Sequence, residues 1–226
     1  MGLAAQQIDC KGCGAKVDIH TGLRMKTFVC EYCGSVCDNE KVVAVQDAAK
    51  AREKYKPWSH LRLGMECKLL GHPYQIVGRI RVEESDWFWD EWFLMSATGF
   101  PLFLQEDEGT FSIFRVYYPT KPLDPRKLGK GDKIKLDKGG KKMKVKEKGK
   151  AKLSFIEGEL TWEAKPGEKF KYIDGKSGDS RFSIEWVESE IQYLRGEYRG
   201  SKKIYDLFGI TEAVPPKPDY DDDDDW

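Results

Sequence analysis

The sequence predicts a mainly β protein built from an N-terminal metal-binding ribbon, a linking helix, a two-unit antiparallel β-domain and a disordered acidic C-terminal tail. Three observations predict it. Two Cys-x-x-Cys-Gly knuckles, Cys10 with Cys13 and Cys30 with Cys33, are separated by sixteen residues. From Leu61 onward, short alternating stretches are punctuated by glycine and crowded with aromatic residues, the pattern of strands rather than helices. The chain closes on VPPKPDYDDDDDW, a composition that cannot bury a core.

The first element, residues 1–38, rests on the knuckles. Paired Cys-x-x-Cys motifs at this spacing read as a tetrahedral zinc ribbon, so one structural Zn2+ ion is expected on Cys10, Cys13, Cys30 and Cys33. Four thiolates fill the coordination sphere and leave no open catalytic position. The glycine closing each knuckle lets the backbone turn beneath the metal and brings amides towards the sulfurs. So short a segment cannot fold by burial alone. Structural zinc contributes about 10 to 16 kcal/mol in small peptides at neutral pH. Between the knuckles, KVDIHTGLRMKTFVC alternates and turns at Thr21-Gly22, which fits a hairpin. A rubredoxin-like iron site or a thiol sensor is the alternative use of the four sulfurs. Cys37 lies close enough to compete as a ligand and His20 is a further candidate, whereas Cys67 sits in an apparent strand and reads as a small core residue.

Residues 39–58 follow as a linking helix. NEKVVAVQDAAKAREKY has few breakers and sets Val42, Val45 and Ala49 on one face, and Pro57 ends it. The first β-unit, 59–125, and the second, 126–210, share a weak repeat: Gly64–Leu69 before HPYQIVG resembles Gly131–Leu136 before KKMKVKEKG. In both, a glycine opens a strand, a turn follows and a second strand returns to a glycine. Neither unit looks complete alone, so the two are expected to pack together.

The first unit holds Trp87, Trp89, Phe93, Phe100, Phe103, Phe111 and Phe114. Period-two alternation places most of these rings in a sheet interface, where each buries about 150 to 250 Å². The competing reading is an exposed aromatic patch, with Trp87, Trp89 and Trp92 as its partner-binding residues. Asp86, Asp90 and Glu91 lie among the rings, and burial would raise such carboxyls. No His, Ser or Cys constellation accompanies them, so no enzyme is expected. In the second unit Ile134, Leu136, Met143 and Val145 alternate with lysines, giving a hairpin with one dry face and one lysine face. Lys142, Lys144 and Lys146 are the candidate contacts of that face to an anionic partner, although edge lysines also deter aggregation.

Lysine and arginine balance aspartate and glutamate at 38 each, and 40% of the 226 residues are hydrophobic, enough for a core. The charge is polarised, with a basic stretch over 121–150 and an acidic one over 219–225. The tail, residues 211–226, is expected to be disordered. Its acidic run with a terminal aromatic, Asp225 and Trp226, resembles the tips of single-stranded DNA-binding proteins. No apolar run approaches the length of a bilayer span, and the N-terminus lacks the pattern of a secretion signal. A cytoplasmic location, free or peripheral at the inner membrane, is expected.

LGMECKLLGHPYQIVGRI, WDEWFLM, FIEGELTW and the closing KKIYDLFGI, in that order, resemble the bacterial family known as domain of unknown function 4178. An N-terminal zinc ribbon is also known in that family, and the family brings no accepted catalytic residues. The resemblance implies a role in envelope stress, with partners among phage-shock-protein-A-like membrane-remodelling proteins or small membrane proteins. The expected function is therefore a non-enzymatic zinc-containing adaptor or scaffold in a bacterial membrane-stress or membrane-remodelling assembly. A single-stranded nucleic-acid-binding protein with an acidic partner-recruiting tail is the alternative.

Overall fold

The repeat between Gly64–Leu69 and Gly131–Leu136 marks two units of one strand plan. A computed structural model of the protein describes residues 3–136, 140–188 and 190–216. The N-terminal part carries β1 (Gln6–Asp9), β2 (Lys16–Ile19), β3 (Thr27–Val29), β4 (Ser35–Cys37) and β5 (Val42–Val45), followed by helix α1 (Ala48–Lys54). The first unit then supplies β6 (Glu66–Leu69), β7 (His72–Glu84), β8 (Trp87–Ser96), β9 (Pro101–Asp107) and β10 (Thr110–Val116). The second supplies β11 (Lys133–Ile134), β12 (Met143–Leu160), β13 (Lys169–Ser177), β14 (Ser180–Trp186) and β15 (Ile191–Arg199), and helix α2 (Ser201–Phe208) closes the described chain. Each unit is thus a short strand hairpinned to the first strand of a four-stranded meander.

The two meanders close on each other. β10 pairs antiparallel with β15, last strand to last, and β7 pairs antiparallel with β12, first to first. Eight strands, β7 to β10 and β12 to β15, therefore form a barrel without free edges. Its interior is filled by Ile80, Phe93, Phe103, Phe114, Leu153, Tyr172 and Leu194 from seven of the strands. The eighth, β14, turns Phe182, Ile184 and Trp186 outward, so by alternation it offers Ser183 and Glu185 to the inside.

Both outer faces of the barrel are covered. On the first unit, Ile204, Tyr205 and Phe208 of α2 pack over Tyr74, Ile76, Trp92, Leu94, Leu104 and Phe111. On the second, the segment carrying Tyr117, Leu123 and Leu128 packs with Ile134 and Leu136 over Ile173, Ile184 and Tyr193. This second layer explains why strands of both units read as nearly continuous hydrophobic runs: they are buried on two sides.

The expected helix over residues 39–58 is corrected. Its first half is a strand, β5, paired with β4 through Val36 opposite Ala44. Three β-branched residues, Val42, Val43 and Val45, favour the pleated edge that β4 leaves open. The helix starts only after Asp47, whose carboxylate accepts from the Lys50 amide at 3.1 Å as an N-cap. Just before it, the Gln46 side-chain amide donates to Ile156 O at 3.0 Å and accepts from Ile156 N at 3.3 Å, acting as a one-residue strand partner for β12.

β12 ties the N-terminal part to the barrel. Its end leaves β7 after the pairing of Gly158 with Gly78 and takes up β3 instead, Glu159 opposite Phe28 and Leu160 opposite Thr27. At that crossing a Cβ on Gly78 would sit 2.1 Å from Glu159 O, so the backbones approach as only glycine permits. Glu159 is buried, and its carboxylate accepts from the His20 amide at 2.8 Å and from the Thr21 amide and hydroxyl at 2.9 and 2.8 Å, with His20 Nδ1 at 2.8 Å. Glu159→Ala strands these donors at a buried junction and is expected to lower the unfolding free energy by about 3 kcal/mol. Hydrogen exchange should show residues of β1 to β3 losing protection before the barrel; unchanged protection there would contradict this role.

Candidate metal centre and barrel cavity

The two knuckles have one local geometry. Gly14 and Gly34 each donate an amide to the carbonyl of the first cysteine, Cys10 and Cys30, at 2.9 Å. Both glycines adopt positive φ, +76° and +70°, which a side-chain-bearing residue rarely does. The turns bring the sulfurs of Cys10, Cys13, Cys30 and Cys33 within 4.8 Å of one another, a set able to hold a metal ion. Cys10 Sγ lies 3.7 Å from Cys33 Sγ and Cys13 Sγ 3.8 Å from Cys30 Sγ. A tetrahedron of sulfurs about 2.3 Å from a metal has an edge of about 3.8 Å, which these two separations match.

Local donors prepare the thiolates. The Gly12 amide donates to Cys10 Sγ at 3.3 Å. Ser35 Oγ lies 3.1 Å from Cys33 Sγ, and its hydrogen bond to the thiolate draws the Cys33 pKa down to about 6. Cys30 is fully buried and desolvation pushes it up to about 12, a charge that a metal would have to neutralise. Cys37 is outside the quartet: it lies in β4 among Val17, Ile19, Met25 and Phe28, and burial raises it to about 11. His20 serves Glu159 rather than the sulfurs. Cys67 packs in the core beside Tyr74, raised to about 12 by desolvation, as a core residue should be.

The three tryptophans do not form one surface, which corrects their reading as a partner-binding group. β8 alternates, so Trp87 and Trp89 share its inner face, Trp87 49% exposed at the start of the strand and Trp89 beside Tyr172, whereas Trp92, 1% exposed, lies on the opposite face under the chain segment that precedes β6. Trp89 Nε1 donates to Glu91 at 2.9 Å and Trp92 Nε1 donates to Glu106 at 2.8 Å. Glu106 also accepts from the Ser59 amide and hydroxyl. Burial and the nearby Asp90 charge raise Glu106 to about 7.

The lysines divide as well. Lys142 and Lys144 are exposed and Lys146 is half-buried beside a bulge in β12. Met143 and Val145 are buried between them, as alternation requires. Pairing across the sheet adds what the sequence reading missed: Lys144 faces Lys133 of β11 on one side and Lys176 of β13 on the other, and Lys176 faces Arg181 of β14. Four cations stand in one row. Asp225 and Trp226 lie outside the described residues.

The barrel interior changes character along its axis. Towards the end formed by the β12–β13 and β14–β15 connections it opens into a cavity of about 140 Å³. Glu91, Glu163, Glu168, Glu185, Glu190 and Gln192 supply its polar lining, with Ile80, Phe103, Leu153, Trp162, Phe170 and Trp186 as apolar walls. Among the described residues, no Lys, Arg or His lines it. Desolvation raises Glu91 and Glu185 above the usual carboxyl range and lifts Asp174 to about 7, the Glu91 charge adds to the rise of Asp174, and Glu91 and Asp174 both add to that of Glu185. Glu91 was visible in the sequence as an acid among aromatics. Asp174 and Glu185 were not, because their polar positions read as a solvent face.

These buried acids set a pH dependence. A carboxyl whose pKa is higher folded than unfolded binds its proton more tightly in the folded state, so protonation stabilises the fold. For Glu106 that contribution is complete below the ordinary value of 4.5 and is lost as pH rises to about 7. Urea midpoints are expected to fall from about pH 5 to about pH 7, with about 3 kcal/mol from Glu106 alone. Glu106→Gln should flatten that part of the profile; an unchanged slope would overturn the assignment.

A family model described as Domain of unknown function (DUF4178) matches residues 62–199. The chain belongs to this family. The matched stretch runs from the approach to β6 to the end of β15, so it covers both units and the whole barrel, while the cysteine quartet and α2 lie beyond it. No curated protein and no solved structure matches the chain. Among the described residues, no helix is long and apolar enough to cross a membrane.

Proposed function

We propose that this DUF4178 protein is a non-enzymatic adaptor, stapled by one structural zinc ion, that docks through a basic row of its second β-unit onto an acidic partner in a bacterial membrane-stress or membrane-remodelling assembly. The observation that carries this is the register of Lys133, Lys144, Lys176 and Arg181 across β11 to β14. Like charges directly opposite one another destabilise a sheet, so a row of four opposes folding unless an anionic surface offsets it. Phage-shock-protein-A-like coiled-coil proteins or small membrane proteins are the partners this reading names, met in the cytoplasm or at the inner membrane surface. Zinc is the ion this reading names; a tetrahedral four-thiolate set also accommodates iron, and metal analysis of the purified protein separates the two. The absence of a catalytic role is supported by a metal centre with four protein ligands and by a cavity lining without a nucleophile and its base.

The test is a pull-down of the tagged full-length protein from its own nuclease-treated, detergent-solubilised cells, beside Lys144→Glu/Lys176→Glu. Recovery of a membrane-remodelling coiled-coil protein or small membrane proteins by the parent, and their loss in the variant, is the expected result. Recovery of replication or repair factors, or tight salt-sensitive binding to single-stranded oligonucleotides, would replace it with the nucleic-acid reading. Equal recovery by parent and variant would remove the basic row from the account.

A further inference from the structure

We propose that the barrel cavity is a binding site for an alkylammonium ion, its charged head held by Glu91 and Glu185 and its chain laid against Phe103, Phe170 and Trp162. This goes beyond the adaptor reading and stands without it. The cavity comprises about 140 Å³, roughly ten times what a single water needs, so it has room for a small organic molecule. Its charged lining is of one sign: Glu91 and Glu185 on the barrel wall, Glu163 and Glu190 exposed at the mouth, and Glu168 between them. Carboxylates only accept hydrogen bonds once ionised, and an ammonium only donates, with three hydrogens.

Donors around Glu91 and Glu185 are few: the Trp89 indole, the Ser183 hydroxyl and the Gln192 amide. Glu91 Oε1 takes the Trp89 indole at 2.9 Å and Glu185 Oε1 lies 3.3 Å from Ser183 Oγ. Asp174 Oδ1, which feels the charges of Glu91 and Glu147 and itself raises Glu185, is buried with no hydrogen-bond partner among the described residues. Buried polar atoms are nearly always satisfied, so an acceptor left open on the inward face of β13, the face that carries Phe170 of the cavity wall, points to an absent donor. The walls select the rest of the ligand. Apolar and aromatic faces cover a hydrocarbon chain, and Trp162 and Phe170 offer the ring faces on which organic cations rest. Inorganic divalent ions gather about six or more oxygen ligands around one point, whereas apolar side chains make up most of this lining.

Calorimetric titration of the zinc-loaded full chain with n-butylammonium, against n-butanol and butyrate of the same length, tests this. Saturable binding of n-butylammonium alone is expected, weakened about tenfold or more by Glu91→Gln. Because that residue is buried, Glu163→Gln/Glu190→Gln at the exposed mouth provides a variant whose folding is not at risk, with an expected loss of several-fold. Binding of n-butanol as tightly as n-butylammonium, binding of Ca2+ in place of the amine, no saturable binding at millimolar amine, or affinity unchanged in both variants would each overturn the proposal.

Discussion

Stripping the proposed zinc ion from Cys10, Cys13, Cys30 and Cys33 is expected to unfold the chain up to about Val45 while the barrel stays folded. The segment's own core consists of Val17, Ile19, Met25 and Phe28 packed with cysteines, too little to hold β1 to β5 against chain entropy. Binding of metal to four thiolates supplies on the order of 10 kcal/mol, set against ties to the barrel that include two residue pairs between β3 and β12, the Glu159 junction, the Gln46–Ile156 pair, the Thr27 hydroxyl on Trp162 O and Val36 packed in the barrel's core cluster. Cys13→Ser is the cleanest single change, because Cys13 is exposed and its side chain lies outside the buried core. Hydrogen-exchange mass spectrometry with and without a zinc chelator, beside metal analysis, is the check. One zinc per chain and loss of protection confined to the N-terminal strands would support the centre as a staple. Protection that survives chelation would show that burial suffices and that the quartet has another use.

Asp90→Ala is expected to cost about 3 to 5 kcal/mol, the largest loss from one substitution in the barrel wall. Asp90 is 1% exposed and accepts from Arg79 Nε at 3.1 Å, Arg81 Nε at 2.8 Å and Arg81 Nη2 at 2.6 Å. Both arginines are buried, stacked over Trp92 and Phe88, and they donate onward to the Tyr55 and Lys56 carbonyls. Truncation leaves two buried cations with Glu157, 3.6 Å from Arg79, as the remaining carboxylate partner among the described residues. It also frees the segment between α1 and β6, which those carbonyls hold to the barrel. Urea unfolding gives the size of the effect. Replacing Asp90, Arg79 and Arg81 together by apolar residues should restore most of the loss, since a buried ion network is worth far less than the cost of breaking it. A loss below about 1 kcal/mol for Asp90→Ala would mean that solvent reaches the arginines.

The sequence by itself determined the cysteine quartet that could hold a metal ion and the strand content. Two knuckles are local motifs, each closed by one turn, so their four ligands can be named from spacing alone. Alternation of Met143 and Val145 with lysines, and the match between Gly64–Leu69 and Gly131–Leu136, likewise made the dry hairpin face and the two-unit plan legible, because period two survives in the chain whatever lies above it. The linking helix was only half legible: Val42–Val45 carries a helical spacing and a strand propensity together, and the free edge of β4 settled it. Only the tertiary structure decided the rest. Alternation says that the two sides of a strand differ without saying which side is inside, so Trp87, Trp89 and Trp92 could be grouped on paper although β8 sends Trp92 to the opposite face. Closure of β7 on β12 and of β10 on β15 turned polar positions such as Asp174 and Glu185 into a buried acidic interior, and cross-strand register set Lys133, Lys144, Lys176 and Arg181 in one row. These groupings join residues tens of positions apart, and pairing between distant strands is fixed by the burial of the whole barrel rather than by any local stretch of chain.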